Sequence, residues 1–432
     1  MTATGGRLAL LVGGGPAPGI NGVISSVTIE AINDGFEVIG CHDGYKWLVQ
    51  GSTAHVRKLN IADVSRLHLH GGSILGTSRT NPAKNDADMT RVLDTFQSLG
   101  VTALVSIGGD DTAYSASQVW KRSGGAIKVA HVPKTIDNDL PLPPSVPTFG
   151  FETARHYGVF LVRNLAEDAK TTSRWYIIVS MGRAAGHLAL GIGKAAAATL
   201  TLIPEEFAGR RLTLRELCDT IAGSVIKRRS QDRAYGVVVL AEGLMESIGE
   251  HGLIEALGAE VLQRYGKVER DPHNHLRLGE IDFARMIKDH LHDVLVELGL
   301  KTALIDKEVG YELRSADPIP FDAEYTRDLG YGAVKFLCSP ESQKFGAVIS
   351  FVDGRLRPIP FDDIVNPATG RMRPRKVDIA SETYECARRY MIRLEKSDFH
   401  EPQLSRLAAV ASMTPDRFRA RFGYLAGLES AE

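Results

Sequence analysis

Cysteine is scarce in this sequence: there are four residues in 432, and they lie far apart along the chain. That spacing argues against both a disulfide scaffold and a cysteine-based metal site, and it is typical of proteins from a reducing compartment. The formal net charge is only −1, so the chain lacks the basic excess of nucleic-acid-binding proteins. The longest apolar run, around residues 195–203, falls far short of the ~20 residues that a membrane helix needs.

The N-terminal sequence Met-Thr-Ala-Thr-Gly-Gly-Arg shows no signal-peptide pattern. Of the residues, 44% are hydrophobic and 24% are charged, which is the composition of an ordinary globular protein. A chain of 432 residues is too long for one small domain and predicts two or three. We therefore expect a soluble, cytoplasmic protein that binds neither nucleic acid nor membranes.

Two polar clusters stand at the ends of consecutive predicted strands. The apolar segment Ala103–Ile107 is followed by two glycines and by Asp110 and Asp111, and a helix is predicted from Thr112. The next strand, Ile127–Val132, is followed by a second polar set, Lys134, Thr135, Asp137 and Asp139. In a parallel α/β sheet both ends fall on the edge where such folds bind ligands. Four carboxylates, an ammonium and a hydroxyl predict a site for a hard metal ion and phosphate, although two capped, solvated loops are the alternative.

Glycine-rich turns supply two further candidate phosphate sites. The predicted strand Arg7–Val12 leads into Gly13–Asn21 and then a helix, which is the arrangement of a phosphate cradle. A dinucleotide-binding turn looks similar, but two prolines within the turn and the lack of an acidic residue after a clear second strand count against it. The loop Gly71–Arg79 can close on phosphates through its arginine, or it is a flexible turn with a surface arginine.

The second half of the chain again alternates helices and strands. The predicted strands are Trp175–Ser180, Thr199–Ile203 and Gly236–Leu240, and this spacing predicts a second parallel, doubly wound sheet. Their ends carry Arg183, Glu206 and Glu242, which form another polar edge. A hairpin is predicted to turn at Asp353–Gly354. Residues 381–432 are predicted to be a helical, charged C-terminal extension.

Seven motifs, in this order, resemble those of the phosphofructokinase family: GGGPAPGIN (13–21), GGSILGTSR (71–79), GGDDT (108–112), PKTIDND (133–139), MGR with GH (181–187), AEG (241–243) and GYELRSADP (310–318). The resemblance implies two doubly wound, Rossmann-like α/β domains with the active site between them, in a homodimer or homotetramer. It assigns residues 1–145, completed by part of 315–380, to the phosphoryl donor and the metal. Residues 146–314 are assigned to the sugar phosphate.

The resemblance also implies roles for individual residues. Asp137 is the expected general base, which takes the proton of the attacking sugar hydroxyl. Asp110 is expected to hold Mg²⁺, and Thr135 to contact the phosphoryl group in flight. Donor phosphates are assigned to Gly15, Arg79, Asp111 and Lys134. The sugar-phosphate set comprises Thr135, Ile136, Asp137, Arg174, Met181, Gly182, Arg183, Glu242, Tyr311 and Arg314, with Arg174 reaching it from a neighbouring subunit.

Two positions point to the phosphoryl donor. ATP-using members of the family carry glycine where this chain has Asp111 and Lys134, and this Asp/Lys pair resembles the pyrophosphate-dependent branch. The implied reaction is a reversible, Mg²⁺-dependent transfer from pyrophosphate to the 1-hydroxyl of fructose 6-phosphate. Alternatives that stay open are sedoheptulose 7-phosphate as the acceptor, ATP as the donor, and a catalytically silent regulatory subunit.

Overall fold

The computed structural model describes residues 6–266, 281–364 and 372–428. The strands in these ranges are β1 Arg7–Val12, β2 Glu37–Cys41, β3 Val56–Lys58, β4 Val101–Gly108, β5 Lys128–Pro133, β6 Arg174–Ser180, β7 Leu200–Leu202, β8 Gly236–Ala241, β9 Ala303–Val309, β10 Ala347–Val348, β11 Phe351–Val352, β12 Arg355–Leu356 and β13 Ile359–Pro360. The α-helices are α1 Ile20–Asn33, α2 Ile61–Val64, α3 Asp86–Ser98, α4 Asp110–Arg122, α5 Phe151–Thr172, α6 His187–Ala195, α7 Leu214–Arg229, α8 Gly243–Leu257, α9 Ala259–Leu262, α10 Phe283–Glu297, α11 Pro320–Cys338, α12 Phe361–Ile364, α13 Glu382–Arg389, α14 Gln403–Val410 and α15 Pro415–Phe422.

The chain divides into two compact units. The first comprises Met1–Tyr157 and Tyr311–Arg375, and the second comprises Gly158–Gly310 and Lys376–Glu432. Each unit has its own largely parallel sheet, so the predicted fold class of two doubly wound α/β domains is confirmed. The boundary after Tyr157 lies within α5, whereas the proline-rich residues 141–147 lie inside the first unit. The assignment of donor and sugar phosphate to separate domains stays a prediction.

The first unit contains a seven-stranded sheet in the order β13-β10-β5-β4-β1-β2-β3. Its five inner strands run parallel, and both edge strands, β13 and β3, are antiparallel to their neighbours. Alternate residues of β1 point to opposite faces, so Leu8 and Leu10 pack with α1 and α11 while Ala9 and Leu11 pack with α3 and α4. Both faces of the sheet are therefore covered by helices, as in other doubly wound folds.

The register of this sheet brings three sequence motifs to one edge. Val12 of β1 pairs with Ile107 of β4, and Gly108 pairs with Pro133 of β5. The glycine turn after β1, the carboxylates after β4 and the polar segment after β5 consequently follow three adjacent parallel strands. The carboxyl edge of a parallel sheet is where such folds bind ligands.

The second unit contains a four-stranded parallel sheet in the order β7-β8-β6-β9. Ser180 at the end of β6 pairs with Ala241 of β8 and with Val309 of β9, so the segments that follow these strands are neighbours. Strand β9 was absent from the sequence prediction. It is an edge strand, and buried and exposed residues do not alternate along it. Three consecutive residues, 306–308, are charged. The strand therefore lacks the alternating apolar pattern by which a strand is recognised in a sequence.

The C-terminal extension is helical, as predicted, in α13, α14 and α15, and belongs to the second unit. It packs through buried aromatic rings, among them Phe399, Phe418 and Phe422. The predicted hairpin turn at Asp353–Gly354 is confirmed, because it joins the antiparallel strands β11 and β12. Within the described ranges, no helix combines the length and the apolar character required to cross a membrane.

Candidate active site

The glycine turn after β1 is held in place by backbone hydrogen bonds from two other segments. Gly13 N donates to Ile107 O at 2.8 Å, and Gly14 N donates to Ser78 O at 2.8 Å. The Thr77 hydroxyl in turn donates to Gly14 O at 2.7 Å. Gly14 has φ 83°, a left-handed conformation that glycine adopts without strain. The turn is therefore fixed between β4 and the end of the Gly71–Arg79 loop.

Two cations lie directly against this turn. The Lys134 ammonium donates to Gly15 O and would stand 3.3 Å from a Cβ placed on Gly14. A Cβ on Gly15 would lie 3.3 Å from Cζ of Arg314. The glycines thus leave room for a lysine and an arginine to approach the backbone. Burial, together with the charge of Arg314, lowers the pKa of Lys134 to about 8.

The Gly71–Arg79 loop is anchored from two sides. The side chain of Asn21, the last residue of the first glycine motif, donates to Gly71 O at 2.9 Å and accepts from Ile74 N at 3.0 Å. Asp317, from the motif at 310–318, accepts from Gly71 N at 2.8 Å. Arg79 lies close enough to Lys134 for its charge to lower the pKa of that lysine. Three motifs of the first unit therefore form one cationic, hydrogen-bonded group.

A buried histidine supports the turn between β4 and α4. His131 and Ser106 are both fully buried, and His131 Nε2 lies 3.0 Å from the Gly108 carbonyl oxygen. A carbonyl oxygen only accepts, so Nε2 carries the proton and donates it. Burial strongly lowers the pKa of His131, which keeps the ring neutral, so its Nδ1 accepts from the Ser106 hydroxyl at 2.8 Å. Gly108 O also accepts from Lys134 N at 2.8 Å.

The first turn of α4 carries Asp110 and Asp111. Asp111 accepts a hydrogen bond from the Asn81 side chain at 3.2 Å, which fixes its carboxylate beside the loop that follows Arg79. Burial and the charge of Asp110 together raise the pKa of Asp139. Asp110 and Asp139 are therefore near neighbours whose charges repel, and a cation would relieve that repulsion.

These carboxylates fit a hard divalent cation whose remaining ligands are phosphate oxygens and water. In the part of the chain that the structure describes, no group of three or more His, Cys, Asp or Glu side chains forms a metal cage. Mg²⁺ is commonly held in this way, by one or two carboxylates with waters and substrate phosphates as the remaining ligands. The Asp110–Asp139 pair beside two cations and a glycine turn has that character.

The segment after β5 is ordered by its own short hydrogen bonds. Asp137 N donates to the Thr135 hydroxyl at 3.0 Å, and the Thr148 hydroxyl donates to Thr135 O at 2.8 Å. Ile136 between them is buried. Asp137 is one of the charges that raise the pKa of Lys134 and so offset part of the burial effect. A carboxylate and an ammonium thus lie close together at the end of β5.

In the second unit, the predicted sugar-phosphate residues that follow β6 and β8 come together. Gly182 N donates to Oε2 of Glu242 at 3.2 Å, and Nε of Arg183 lies 4.0 Å from Oε1 of the same carboxylate. Gly243 N donates to Gly182 O at 3.2 Å, and Gly182 has φ 127°. Met181 N donates to Val309 O at 3.0 Å, which ties this group to β9.

Arg174 stands apart from the other predicted sugar-phosphate residues of its own unit, whereas Tyr311 lies beside Arg314, which belongs to the same predicted set. Arg174 opens β6, so the seven residue steps from Arg174 to Met181, at ~3.3 Å each, place these two residues ~23 Å apart. Within this chain it lies near Asp168, with Nε 4.0 Å from Oδ2. Tyr311 is 75% exposed, and its ring lies 4.9 Å from the Arg314 guanidinium.

The sequence predicted that Glu206 forms a polar edge with Arg183 and Glu242, but in the structure its carboxylate is engaged elsewhere. Its carboxylate is bound by Arg393 of the C-terminal extension, with Nη2 2.9 Å from Oε1. Sequence reasoning missed Arg393, His131 and Asn81. A histidine within the otherwise apolar strand β5, two residues before the polar motif, was the one available signal for His131.

Known proteins resemble this chain over most of its length. The family model described as Phosphofructokinase matches residues 7–337. A pyrophosphate–fructose 6-phosphate 1-phosphotransferase of Thermotoga maritima is 54% identical over 96% of this chain and 98% of its own length. A protein of the same name from Naegleria fowleri is 48% identical over 97% of this chain and 95% of its own.

Solved structures show the same fold. The pyrophosphate-dependent phosphofructokinase of Nitrosospira multiformis superimposes with a TM-score of 0.63 at 19% identity, over 90% of this chain and 91% of that one. At that identity the likeness concerns the fold alone. The family model, however, spans most of the chain, and the two relatives cover nearly all of it. The chain belongs to the phosphofructokinase family.

Proposed function

We propose that this chain transfers a phosphoryl group from pyrophosphate to the 1-hydroxyl of fructose 6-phosphate, giving fructose 1,6-bisphosphate and phosphate. The donor assignment rests on two residues: Lys134, which lies against the glycine turn, and Asp111, in the first turn of α4. Lys134 is buried against Gly15, and Asp111 is fixed by Asn81. The two relatives that cover nearly the whole chain carry the name of this activity.

The donor preference follows from space and charge. A nucleotide extends beyond its two terminal phosphates, and Asp111 places a carboxylate where the next phosphate would continue. Like charges at ~4 Å repel by about 4 kcal/mol at an effective dielectric of about 20. Lys134 offers a charge-assisted contact to a compact, highly charged leaving group. Both residues therefore favour pyrophosphate over ATP.

Asp137 is the proposed general base of the transfer. Its carboxylate lies at the end of β5 beside Lys134, on a segment ordered by Thr135 and Thr148. It accepts the proton of the acceptor hydroxyl as the new phosphate ester bond forms. Thr135 contacts the transferred group, and Gly15, Arg79 and Lys134 hold the donor phosphates against the glycine turn.

Mg²⁺ is the metal that we propose for this site, with Asp110 as its ligand and Asp139 beside it. When bound, it neutralises negative charge on the donor phosphates. Burial and Asp110 raise the pKa of Asp139, and the charge of Arg375 offsets part of this effect, so a cation bound between the two carboxylates would stabilise them further. Arg314, whose guanidinium lies next to Gly15, adds a fixed positive charge near the glycine turn.

The acceptor is held by the groups that follow β6 and β8. Met181, Gly182 and Arg183 bind the sugar phosphate, and Glu242 orients the Gly182 amide and the Arg183 guanidinium. Ile136, Tyr311 and Arg314 are the further residues that the resemblance to the phosphofructokinase family assigns to the sugar phosphate. Since pyrophosphate and the sugar bisphosphate have similar transfer potentials, the reaction is proposed to be reversible.

We also propose a cytoplasmic homodimer or homotetramer. Arg174 lies at the opposite end of β6 from the other sugar-phosphate residues of its own unit, so it serves the site of a neighbouring subunit.

A donor-by-acceptor activity matrix tests the function. Pyrophosphate and ATP are each combined with fructose 6-phosphate and with sedoheptulose 7-phosphate, with Mg²⁺ and with excess chelator. The proposal expects the highest kcat/KM for pyrophosphate with fructose 6-phosphate, and its loss in chelator. A preference for ATP overturns the donor assignment. A preference for sedoheptulose 7-phosphate overturns the acceptor assignment.

A further inference from the structure

Glu205 is a buried glutamate that lies behind the Arg183 loop. It stands in the short turn after β7, 6% exposed. One carboxylate oxygen, Oε1, accepts two backbone hydrogen bonds, from Gly186 N at 2.9 Å and from Val377 N at 3.0 Å. A buried carboxylate is costly unless it is hydrogen-bonded, so these two amides account for its presence in the interior.

The first of these bonds fixes the acceptor loop, which we define as residues 181–187. This loop runs from the end of β6 to the start of α6 and carries Met181, Gly182 and Arg183. Gly186 packs so closely against Glu205 and Ile203 that a side chain there would clash: a Cβ would lie 2.8 Å from Oε2 of Glu205 and 2.5 Å from Cβ of Ile203. The glutamate therefore sets the position of the loop three residues after Arg183.

The second bond brings the C-terminal part of the chain to the same loop. Val377 shares the Glu205 oxygen with Gly186, and the Lys376 ammonium donates to Ala184 O. The next glutamate, Glu206, is also bound by the C-terminal extension, through Arg393. The Glu206 carboxylate is bound by Arg393, whereas the Glu205 carboxylate is bonded directly to Gly186 of the acceptor loop. Both glutamates therefore contact the C-terminal part of the chain, and the bond to Gly186 of the acceptor loop is the difference that a mutation can test.

We propose that Glu205 is a positioning residue for the sugar phosphate, and that Lys376 and Val377 hold the acceptor loop with it. This inference rests on the proposed function, since it assigns the acceptor phosphate to Arg183 and Gly182. Glu205 acts through the Gly186 amide and does not touch the substrate. The C-terminal segment at 376–377 is accordingly part of the acceptor site and more than an anchor for the extension.

Steady-state kinetics of Glu205→Ala, Glu205→Gln and the control Glu206→Gln test the proposal. We expect Glu205→Ala to raise the KM for fructose 6-phosphate by at least about tenfold, since misplacing a binding group by ~1 Å can cost about 10²-fold. The KM for pyrophosphate should change by less than about twofold, because that ligand binds to other residues. Glu205→Gln keeps a carbonyl oxygen that accepts from both amides and should restore most of the affinity.

The control separates positioning from simple anchoring. Glu206→Gln weakens a contact of the same C-terminal extension but leaves the loop bond intact, so its KM for the sugar phosphate should stay at the wild-type value. Equal effects of the Glu205 and Glu206 variants, or equal increases of both KM values in Glu205→Ala, would overturn the proposal.

A measurement without substrates separates this inference from the proposed function. Amide hydrogen exchange of Gly186 and Val377 should be slow in the wild type and at least about tenfold faster in Glu205→Ala, while amides of β8 keep their protection. Unchanged exchange at both amides overturns the inference whatever the enzyme's substrates are. A wild type that is inactive with pyrophosphate and fructose 6-phosphate, yet shows the exchange difference, overturns the proposed function and leaves the positioning of the loop standing.

Discussion

Lys134 combines burial with positive charge in one side chain, at the glycine turn. Only 4% of it is exposed, and its ammonium donates to the Gly15 carbonyl at the glycine turn. Burial and the charge of Arg314 lower its pKa to about 8, while Asp137 and Asp139 act in the opposite direction. The cation that would contact the leaving phosphate is therefore present below that pH and is lost above it.

The first prediction concerns this titration. The kcat/KM for pyrophosphate should fall about tenfold per pH unit above pH about 8, because kcat/KM reports ionisations of the free enzyme. Lys134→Arg keeps a cation that stays protonated throughout this pH range and should move the alkaline limb to higher pH, even if its maximal rate is lower. Steady-state rates from pH 6 to 10, with total Mg²⁺ adjusted at each pH, provide the measurement. If kcat/KM falls at the same pH in Lys134→Arg as in the wild type, the titrating group is not Lys134.

The second prediction concerns Asp137. Asp137→Asn removes the proton acceptor but keeps the size of the side chain, so kcat should fall by about 10²–10⁴. The affinity for fructose 6-phosphate should stay within several-fold, because Arg183 and Glu242 are unaffected. Calorimetric binding of the sugar phosphate to the variant supplies that control. A variant that retains a near-normal kcat would remove Asp137 from the role of general base.

At the scale of elements, β5 supports the neighbouring turn through a fully buried contact. His131 is fixed as the Nε2–H tautomer by the Gly108 carbonyl and by the Ser106 hydroxyl. The ring joins β5 to the last residue of β4, immediately before the glycine and carboxylates that begin α4. This internal contact holds the turn that presents Asp110 and Asp111.

The third prediction tests that contact through stability. Ser106→Ala leaves the buried Nδ1 of His131 without its donor, which should lower the free energy of unfolding by about 1–3 kcal/mol. Ser117→Ala is the matched control, since this buried serine bonds to Tyr114 O within its own helix and alanine is the better helix former. Urea unfolding of both variants gives the comparison. Equal, small losses for the two would show that the histidine contact adds no stability.

Strands that form a continuous apolar run were predictable from the sequence, whereas the edge strand β9 was not. The apolar runs that became β1, β4 and β5 end in motifs, so the order of the polar clusters could be inferred before the fold was known. Strand β9 escaped because it lies at an edge and carries three adjacent charged residues, 306–308, which hide any alternation. Its absence from the prediction left the segment before Tyr311 without a place in the second sheet.

Long-range pairs set the other limit of sequence reasoning. Arg393 and Glu206 lie 187 positions apart, and no local pattern connects an arginine near the C-terminus with a strand-end glutamate. The sequence therefore placed Glu206 on the polar edge with Arg183 and Glu242, whereas its charge is used by the extension. The bond of Glu205 to Gly186 was hidden for the same reason, although both residues lie near recognised motifs.

At the scale of the whole molecule, the position of Arg174 bears on the proposal that each active site takes a residue from a neighbouring subunit. The arginine lies at the amino end of β6, and Met181–Arg183 follow its carboxyl end, so one chain does not bring them together within this sheet. If each site takes Arg174 from a neighbouring subunit, chains with different defects can complement one another.

The fourth prediction uses this complementation. Arg174→Ala and Asp137→Asn chains, each nearly inactive alone, should regain activity after subunit exchange, reaching about a quarter of the wild-type value for a randomly mixed dimer. Mixing Arg174→Ala with a chain that carries both substitutions is the control and should restore nothing. A monomeric, fully active wild type would rule out a shared site.

The choice of pyrophosphate over ATP is the central claim, and kcat/KM for both donors in four proteins tests it most directly. The wild type should use pyrophosphate with little or no activity on ATP. Asp111→Gly should lower pyrophosphate use and raise ATP use only slightly, because Lys134 remains. Lys134→Gly should lose pyrophosphate activity by about 10²-fold or more, as expected for a charge-assisted contact to the leaving group. The double variant should show the highest ratio of ATP to pyrophosphate activity. A wild type that already prefers ATP would contradict the account, because Asp111 and Lys134 would then not select the donor.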